Sequence, residues 1–269
     1  MKLSLRLSAV ALGALTVALT LSGCGSTPVV DETAGWSPNK LYNEATEERN
    51  AGNFERSATL LEKLEGRAAG TPLAQQAQLD KAYTHYKASE PAQALAALDR
   101  FQRLHPASPA MDYALYLRGL VNFNDNLGLF GALARQDLSE RDQKAAKESF
   151  EAFRELITRF PESKYAPDAS ARMTYIVNSL AQYEVHVARY YFSRGAYLAA
   201  INRAQSALSE YKDAPALEEA LFILVRSYDA LGMTQLRDDA QRVMKASYPN
   251  SEYLAQGFKK KDEPWWKVW

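Results

Sequence analysis

Three histidines and one cysteine are the side chains of this 269-residue sequence best suited to metal binding or covalent chemistry. His85, His105 and His186 lie far apart, and none belongs to the His-Glu-x-x-His pattern that places two zinc ligands on one helix face. None of the 13 glycines forms a Gly-x-Gly-x-x-Gly or phosphate-loop pattern. We therefore predict no catalytic centre, no bound metal and no cofactor.

The single cysteine, Cys24, follows a segment with the features of a signal peptide. Two basic residues, Lys2 and Arg6, precede an uncharged apolar run of 15 residues, Leu7 to Leu21. A helix needs about 20 apolar residues to cross a bilayer, so this run is too short for a permanent span. We predict a signal peptide over residues 1–23 that is removed by cleavage.

The signal peptide ends in Leu21-Ser22-Gly23-Cys24, which resembles the bacterial lipobox. Cys24 would then be the first residue of the mature chain and would carry an N-acyl (palmitoyl-type) diacylglycerol group, which anchors the protein without a spanning helix. Gly25 in place of Asp favours export to the outer membrane, by the same resemblance. The alternatives are a signal peptide with a chance cysteine and an ordinary buried thiol.

Composition narrows the class of protein. Lys plus Arg and Asp plus Glu each number 32, and 47% of the residues are hydrophobic. A neutral chain lacks the basic excess that drives binding to nucleic-acid backbones, whereas its apolar content is sufficient for a folded core. We expect no nucleic-acid partner, and one cysteine allows no internal disulfide.

A helical repeat follows a flexible tether, which we predict over residues 24–38 from their small polar and turn-forming residues. From Asn39 onward, Gly52 and Ser89 are 37 residues apart, as are Gly195 and Gly232, and each interrupts a helical pattern. This period resembles the tetratricopeptide repeat (TPR). We predict an all-α fold of five helix-turn-helix units stacked as a right-handed superhelix with a concave face, at approximately 39–71, 72–108, 109–163, 164–214 and 215–249.

Two units are longer than the others. Unit three contains about 18 extra residues, which we assign to an insertion at 125–142, and counting back from Pro161 places its internal turn at Lys144. Unit four has a lengthened first helix over Pro167 to Arg194, predicted to project beyond its neighbours. The apolar stripe of this helix is predicted at Met173, Ile176, Val177, Leu180, Val187 and Tyr190. In the second helix of unit five, the stripe is predicted to include Val243 and Met244.

Several polar and aromatic stretches go beyond what a generic repeat requires. They are Gln75-Gln76-Ala77-Gln78-Leu79, Asp99-Arg100-Phe101, Asp112-Tyr113, Phe160-Pro161, Tyr183-Glu184 and Asn202-Arg203. Together with the lipobox, they resemble the BamD family, the lipoproteins of the outer-membrane β-barrel assembly (BAM) complex, over Leu41 to about Ala255. The chain departs from that family at Arg67 to Pro72, where an aromatic-Pro turn is common.

The resemblance implies a non-enzymatic scaffold at the periplasmic face of the outer membrane, attached to lipid through its anchor. Its partners would be the periplasmic domains of BamA, the other BAM lipoproteins and unfolded outer-membrane β-barrel proteins. The residues it implies for the BamA side are Asn202, Arg203, Arg194 and Tyr197. The candidates for a substrate-facing or inter-repeat surface are Tyr83, Tyr86, Arg100, Arg103, Asp112, Tyr116 and Arg118, because Tyr could stack on an aromatic chain end and Arg could bind its carboxylate.

Residues 250–269 form a carboxyl-terminal cap and a tail with three of the four tryptophans, Trp265, Trp266 and Trp269. The tail could cover the exposed stripe of the last repeat, anchor at the membrane interface or dock on a partner. For the whole protein, the alternative is a TPR lipoprotein adaptor for peptidoglycan or cell-division enzymes.

Substituting the cysteine tests the lipid assignment. We expect Cys24→Ala to release the mature chain from membranes, since the anchor would be lost. Fractionation of the envelope measures this, and continued sedimentation of the variant with the outer membrane would contradict the assignment.

Overall fold

The computed structural model describes residues 31–123 and 143–258. Within these ranges the chain forms eleven helices and no β-strand. The helices are α1 Pro38–Asn50, α2 Phe54–Arg67, α3 Pro72–Lys87, α4 Pro91–Leu104, α5 Met111–Phe123, α6 Gln143–Arg159, α7 Ala166–Ser193, α8 Tyr197–Glu210, α9 Leu217–Ala230, α10 Thr234–Ser247 and α11 Glu252–Gln256. The first ten form five antiparallel pairs, α1 with α2 through α9 with α10. The predicted all-α fold of helix-turn-helix repeats is confirmed.

The turns inside the units explain why the helices end where they do. Gly52, Ser89, Gly195 and Gly232 each follow a first helix and each has a positive φ, between 60° and 86°. This left-handed conformation ends a helix and reverses the chain, and glycine adopts it without a steric penalty. Ser89 adopts it at φ 60°, and Pro91 begins the next helix two residues later.

The hydrophobic core consists of separate clusters of buried side chains along the stack. One cluster joins units two to five, and unit one has its own around Leu41, Leu61 and Leu64. Many of the residues in contact between helices are alanines, such as Ala82 and Ala204, which let the helix axes approach closely. Because each unit buries its stripe against a neighbour, stability depends on stacking, as expected for a repeat protein.

The first helices lie on the inner side of the stack. Two pairs of successive first helices contact each other directly, α3 with α5 and α7 with α9. Each of the second helices α2, α4, α6 and α8 packs against the first helix of its own unit and against the first helix of the next unit. Elements on the inside of a curve are closer together than those on the outside. The concave face is therefore lined by α1, α3, α5, α7 and α9.

The structure corrects several sequence-based predictions. Lys144 lies inside α6 and not at a turn, because α6 has at least 17 residues where the second helices of the other units have 14. Val243 is 52% exposed, and Met244 alone fills the stripe position of α10. In α7 the buried stripe passes from Leu180 through Val185 and Ala188, so Tyr190, predicted to be buried, is exposed.

The long helix α7 joins the two halves of the molecule and does not project from it. It packs against α6 of unit three and also against α8 and α9. Its first half buries Ala169 and Ile176, and its second half buries Ala181 and Ala188. The extra turns thus create contacts with units on both sides.

The predicted tether also differs, since residues 31–37 are packed against α2 through contacts described below. Cys24, the insertion at 125–142 and the tryptophans Trp265, Trp266 and Trp269 lie outside the described residues. In the described part of the chain, no helix combines the length and apolarity needed to span a membrane.

A close approach between α5 and α6 gives a stability test. A methyl group on Gly119 would lie 2.2 Å from the Phe153 ring, which is fully buried. We expect Gly119→Ala to lower the free energy of unfolding by about 1–3 kcal/mol, because the ring must shift in a packed core. Gly66→Ala on α2, where nothing lies within 4 Å, is the matched control, and urea unfolding of both variants measures the difference. Equal stability of the two variants would contradict the packing described.

Candidate protein-interaction surfaces

A polar cluster at the junction of units one and two lies between α1 and α3. Arg49 on α1 forms an ion pair with Asp80 on α3, with 3.6 Å between Nη1 and Oδ1, and both side chains are mostly buried. The guanidinium carbon of Arg49 lies 5.4 Å from the centre of the Tyr83 ring. Burial, and then a hydrogen bond to Asp80, raises the pKa of Tyr42. This cluster was missed in the sequence, although Tyr42 and Arg49 are two helical turns apart on one face.

The cluster has unused hydrogen-bonding capacity. Nη1 of Arg49 and Oδ2 of Asp80 are buried and make no hydrogen bond within the described residues. Buried polar atoms are nearly always paired, so unpaired ones mark a position where a further polar group would be favourable. Tyr113 on α5 lies beside this cluster, and burial, followed by the charge of Asp80, raises its pKa.

A second cluster joins units three and four. The hydroxyl of Tyr116 on α5 donates to Oδ2 of Asp168 on α7 at 2.7 Å, and its ring stacks on Tyr165 with centres 4.6 Å apart. Burial, and then this hydrogen bond, raises the pKa of Tyr116 to about 12. Burial alone would raise the pKa of Asp168, but hydrogen bonds from Arg172 and Tyr116 outweigh it and lower the pKa. Tyr116 is therefore an inter-repeat contact.

The seven residues predicted for a substrate-facing or inter-repeat surface do not come together at one place. Tyr83, Tyr86, Asp112, Tyr116 and Arg118 are on the first helices α3 and α5, whereas Arg100 and Arg103 are on the second helix α4. Arg100 pairs with Glu65 of unit one at 2.5 Å, and Arg118 pairs with Asp99. Asp112 accepts a hydrogen bond from Ser163 at 2.7 Å, and the Tyr83 and Tyr86 rings are 6.2 Å apart. Arg103 is exposed in the last turn of α4.

The residues predicted for the BamA side surround the junction of α7 with α8. Asn202 is exposed, and the exposed Arg203 pairs at 3.1 Å with Glu184, whose side chain is buried. This hydrogen-bonded pair raises the pKa of Arg203. Arg194 lies over the ring of Tyr190, and Tyr197 lies 5.5 Å from Phe192.

Sequence inspection missed the apolar part of this surface. Leu198 is 62% exposed and lies one helical turn before Asn202, on the same face of α8. Tyr190 is 53% exposed at the end of α7. Exposed apolar and aromatic side chains among polar ones are typical of protein interfaces. The sequence signal for this surface was Leu198, an apolar residue that does not lie on the buried stripe of α8.

The carboxyl-terminal end of the stack is closed by α11 and the residues after it. Tyr253 donates a hydrogen bond of 3.1 Å to Glu219, a buried carboxylate that also receives two hydrogen bonds from Arg189 of α7. Phe258 packs against Phe222 with ring centres 4.9 Å apart. Residues 251–258 therefore cover the last repeat, as expected for a cap.

Within the described residues, no group of His, Cys, Asp or Glu is arranged to hold a metal ion. The fold and these surfaces define a TPR-type protein whose open faces are suited to holding other proteins.

The chain matches the YfiO family, described as an outer membrane lipoprotein, over residues 35–243. It is 48% identical over 259 residues to the outer membrane protein assembly factor BamD of Neisseria meningitidis serogroup A, covering 95% of this chain and 97% of that protein. It is 35% identical to the factor of the same name from Vibrio cholerae, covering 87% and 95% of the two chains, and 32% identical to that of Haemophilus influenzae, covering 96% of each. The protein belongs to this BamD (YfiO) family of outer membrane lipoproteins.

Removing the Tyr116 hydroxyl measures the contribution of its hydrogen bond with Asp168 to stability. We expect Tyr116→Phe to lower the free energy of unfolding by about 0.5–1.5 kcal/mol, because the hydrogen bond to Asp168 is lost while the ring stack remains. Tyr175→Phe is the control, since the Tyr175 ring is on α7 and half exposed. A Tyr116→Phe variant as stable as the control would show that the hydrogen bond contributes nothing to the junction.

Proposed function

We propose that this protein is a non-enzymatic scaffold of the β-barrel assembly machinery. It would bind BamA and unfolded outer-membrane proteins and thereby promote their folding and insertion into the outer membrane. The observation that carries this proposal is the similarity, at up to 48% identity over nearly the whole chain, to proteins named outer membrane protein assembly factor BamD. Other BAM lipoproteins and the outer-membrane lipid would be further partners.

The concave side is the proposed client-binding surface. Tyr83 and Tyr113 flank the Arg49–Asp80 pair on the first helices. Nη1 of Arg49 and Oδ2 of Asp80 are buried in this structure, and a local opening would let them bond to an incoming polypeptide. A chain end with an aromatic residue and a carboxylate matches this chemistry, because tyrosine stacks on the ring and arginine binds the carboxylate. The proposal thus moves the client site from the arginines of α4 toward Arg49.

The surface at the α7–α8 junction is the proposed BamA contact. Leu198 and Asn202 are exposed and make no large contribution to the core, whereas Arg203 neutralises the buried Glu184. Changing Arg203 to Glu would place two carboxylates together and destabilise the fold as well as any interface. Leu198 and Asn202 are therefore the cleaner positions for a test.

Anchoring through a lipid on Cys24 would hold both surfaces at the periplasmic face of the outer membrane. Cys24 precedes the described residues by seven positions, and membership in an outer membrane lipoprotein family supports the lipid assignment.

Affinity purification in mild detergent tests the proposal. We expect the tagged protein to recover a β-barrel protein with tandem periplasmic domains, and Leu198→Asp to reduce that recovery at least tenfold without a change in melting temperature. Leu104→Asp is the matched control, because Leu104 is 54% exposed but lies in unit two, and Leu198 is 62% exposed.

Unchanged recovery with Leu198→Asp would place the contact elsewhere on the molecule. Recovery of a murein hydrolase in place of the barrel protein would contradict the assembly role and support the peptidoglycan adaptor.

A further inference from the structure

The residues just before α1 form a small folded segment, Asp31 to Trp36, which we call the clasp. Its backbone closes two turns, with the Ala34 amide donating to the Asp31 carbonyl at 3.0 Å and the Trp36 amide donating to the Thr33 carbonyl at 2.9 Å. Thr33 is only 1% exposed. Trp36 packs against the core of unit one. The clasp is therefore part of the folded domain.

Two basic side chains of α2 hold the clasp. Lys63 Nζ donates to Oδ1 of Asp31 at 2.5 Å and to the Thr33 hydroxyl at 3.2 Å. Arg67 donates to three clasp residues: to the Thr33 carbonyl at 2.5 Å, and to the Trp36 carbonyl and Asp31 Oδ2 at 3.2 Å each. Arg67 thus bonds to two backbone carbonyls of the clasp, those of Thr33 and Trp36, and to the Asp31 carboxylate.

The role of Arg67 is geometric and depends little on net charge. An ion pair as exposed as Lys63 with Asp31 contributes modestly by itself, because water and salt screen it. The hydrogen bond from Lys63 lowers the pKa of Asp31, which keeps that carboxylate ionised as an acceptor. A planar guanidinium with several donors can bind two carbonyls and a carboxylate at once, which an ammonium cannot match.

We infer that the clasp halves the number of residues in the lipid tether and so holds unit one close to the membrane. Seven peptide steps separate Cys24 from Asp31, whereas fourteen separate it from Pro38, where α1 begins. Fully extended, these lengths reach about 25 Å and about 50 Å. In general, flexible chains of seven and of fourteen residues have root-mean-square end-to-end lengths of about 15 Å and about 21 Å.

This inference depends on the proposed lipid anchor and adds a function for Arg67. Arg67 is the last residue of α2 and binds the clasp through backbone carbonyls.

Energy transfer between the protein and a bilayer measures the tether. The mature lipidated chain would carry Ala69→Cys, an exposed position in the turn after α2, labelled with a donor dye. It would be reconstituted into phosphatidylethanolamine and phosphatidylglycerol vesicles that contain an acceptor lipid. Because lipidated Cys24 has no free thiol, one dye per chain is expected. Two dyes per chain would mean that the anchor assignment is wrong, independently of the clasp.

Breaking the clasp should lengthen the tether. We expect Arg67→Met to lower the transfer efficiency, and to lower it as much as inserting seven Gly/Ser residues before Asp31 in the unmodified chain. Lys81→Met is the matched control, because Lys81 forms a comparable ion pair with Glu62 on α2 but does not touch the clasp. Arg67→Met with the transfer efficiency of the control would overturn the inference.

Hydrogen exchange provides a readout that does not depend on the membrane. The amides of Ala34 and Trp36 should be protected in the unmodified protein and in Lys81→Met, and should lose at least tenfold of their protection in Arg67→Met. Rapid exchange of both amides in the unmodified protein would also overturn the inference. If Arg67→Met exposed amides throughout α2, Asp31→Asn, which leaves α2 intact, would replace it.

Discussion

The packing of each helix pair against the first helix of the next unit is the constraint on which the rest of the structure depends. A single helical hairpin cannot bury its apolar stripe, so each unit is stable only against its neighbours. Small residues such as Ala82 on α3 and Ala204 on α8 let the packed helices approach closely. Polar pairs then connect first helices directly: Arg49 with Asp80 between units one and two, Tyr116 with Asp168 between units three and four, and Arg189 with Glu219 between units four and five. Apolar packing supplies the stability, and these directional contacts specify how one unit sits on the next.

The long helix α7 makes the stack continuous across its middle. A regular repeat would end this helix after about 14 residues, but α7 has 28 and contacts units on both sides. Gly119 lets the Phe153 ring lie directly against α5 just before the described chain is interrupted, so unit three remains tightly packed there. At the carboxyl-terminal end, Tyr253 and Phe258 cover the last unit, where no further repeat follows among the described residues.

Because the paired helices already bury their apolar stripes against their neighbours, this architecture leaves other surfaces open. The concave side carries tyrosines beside a buried, partly unsatisfied ion pair, and the α7–α8 junction presents exposed Leu198 and Asn202. Neither surface needs to enclose a ligand, which suits partners that are themselves extended chains or folded domains. The clasp adds a constraint of another kind, since by our inference it concerns the distance between these surfaces and the proposed lipid anchor.

The sequence by itself determined the elements. Turn residues repeated at 37-residue intervals and stripes such as Ile176 with Leu180 predicted the helices and their pairing, because these signals are local and periodic. Tertiary structure alone decided which side chains meet. It placed Arg100 and Tyr116 in contacts between repeats, revealed Arg49 with Asp80, and bound the predicted tether to Lys63 and Arg67. Such contacts join residues about 30 to 50 positions apart, and their partners depend on the stacking angle between units, which no local pattern encodes.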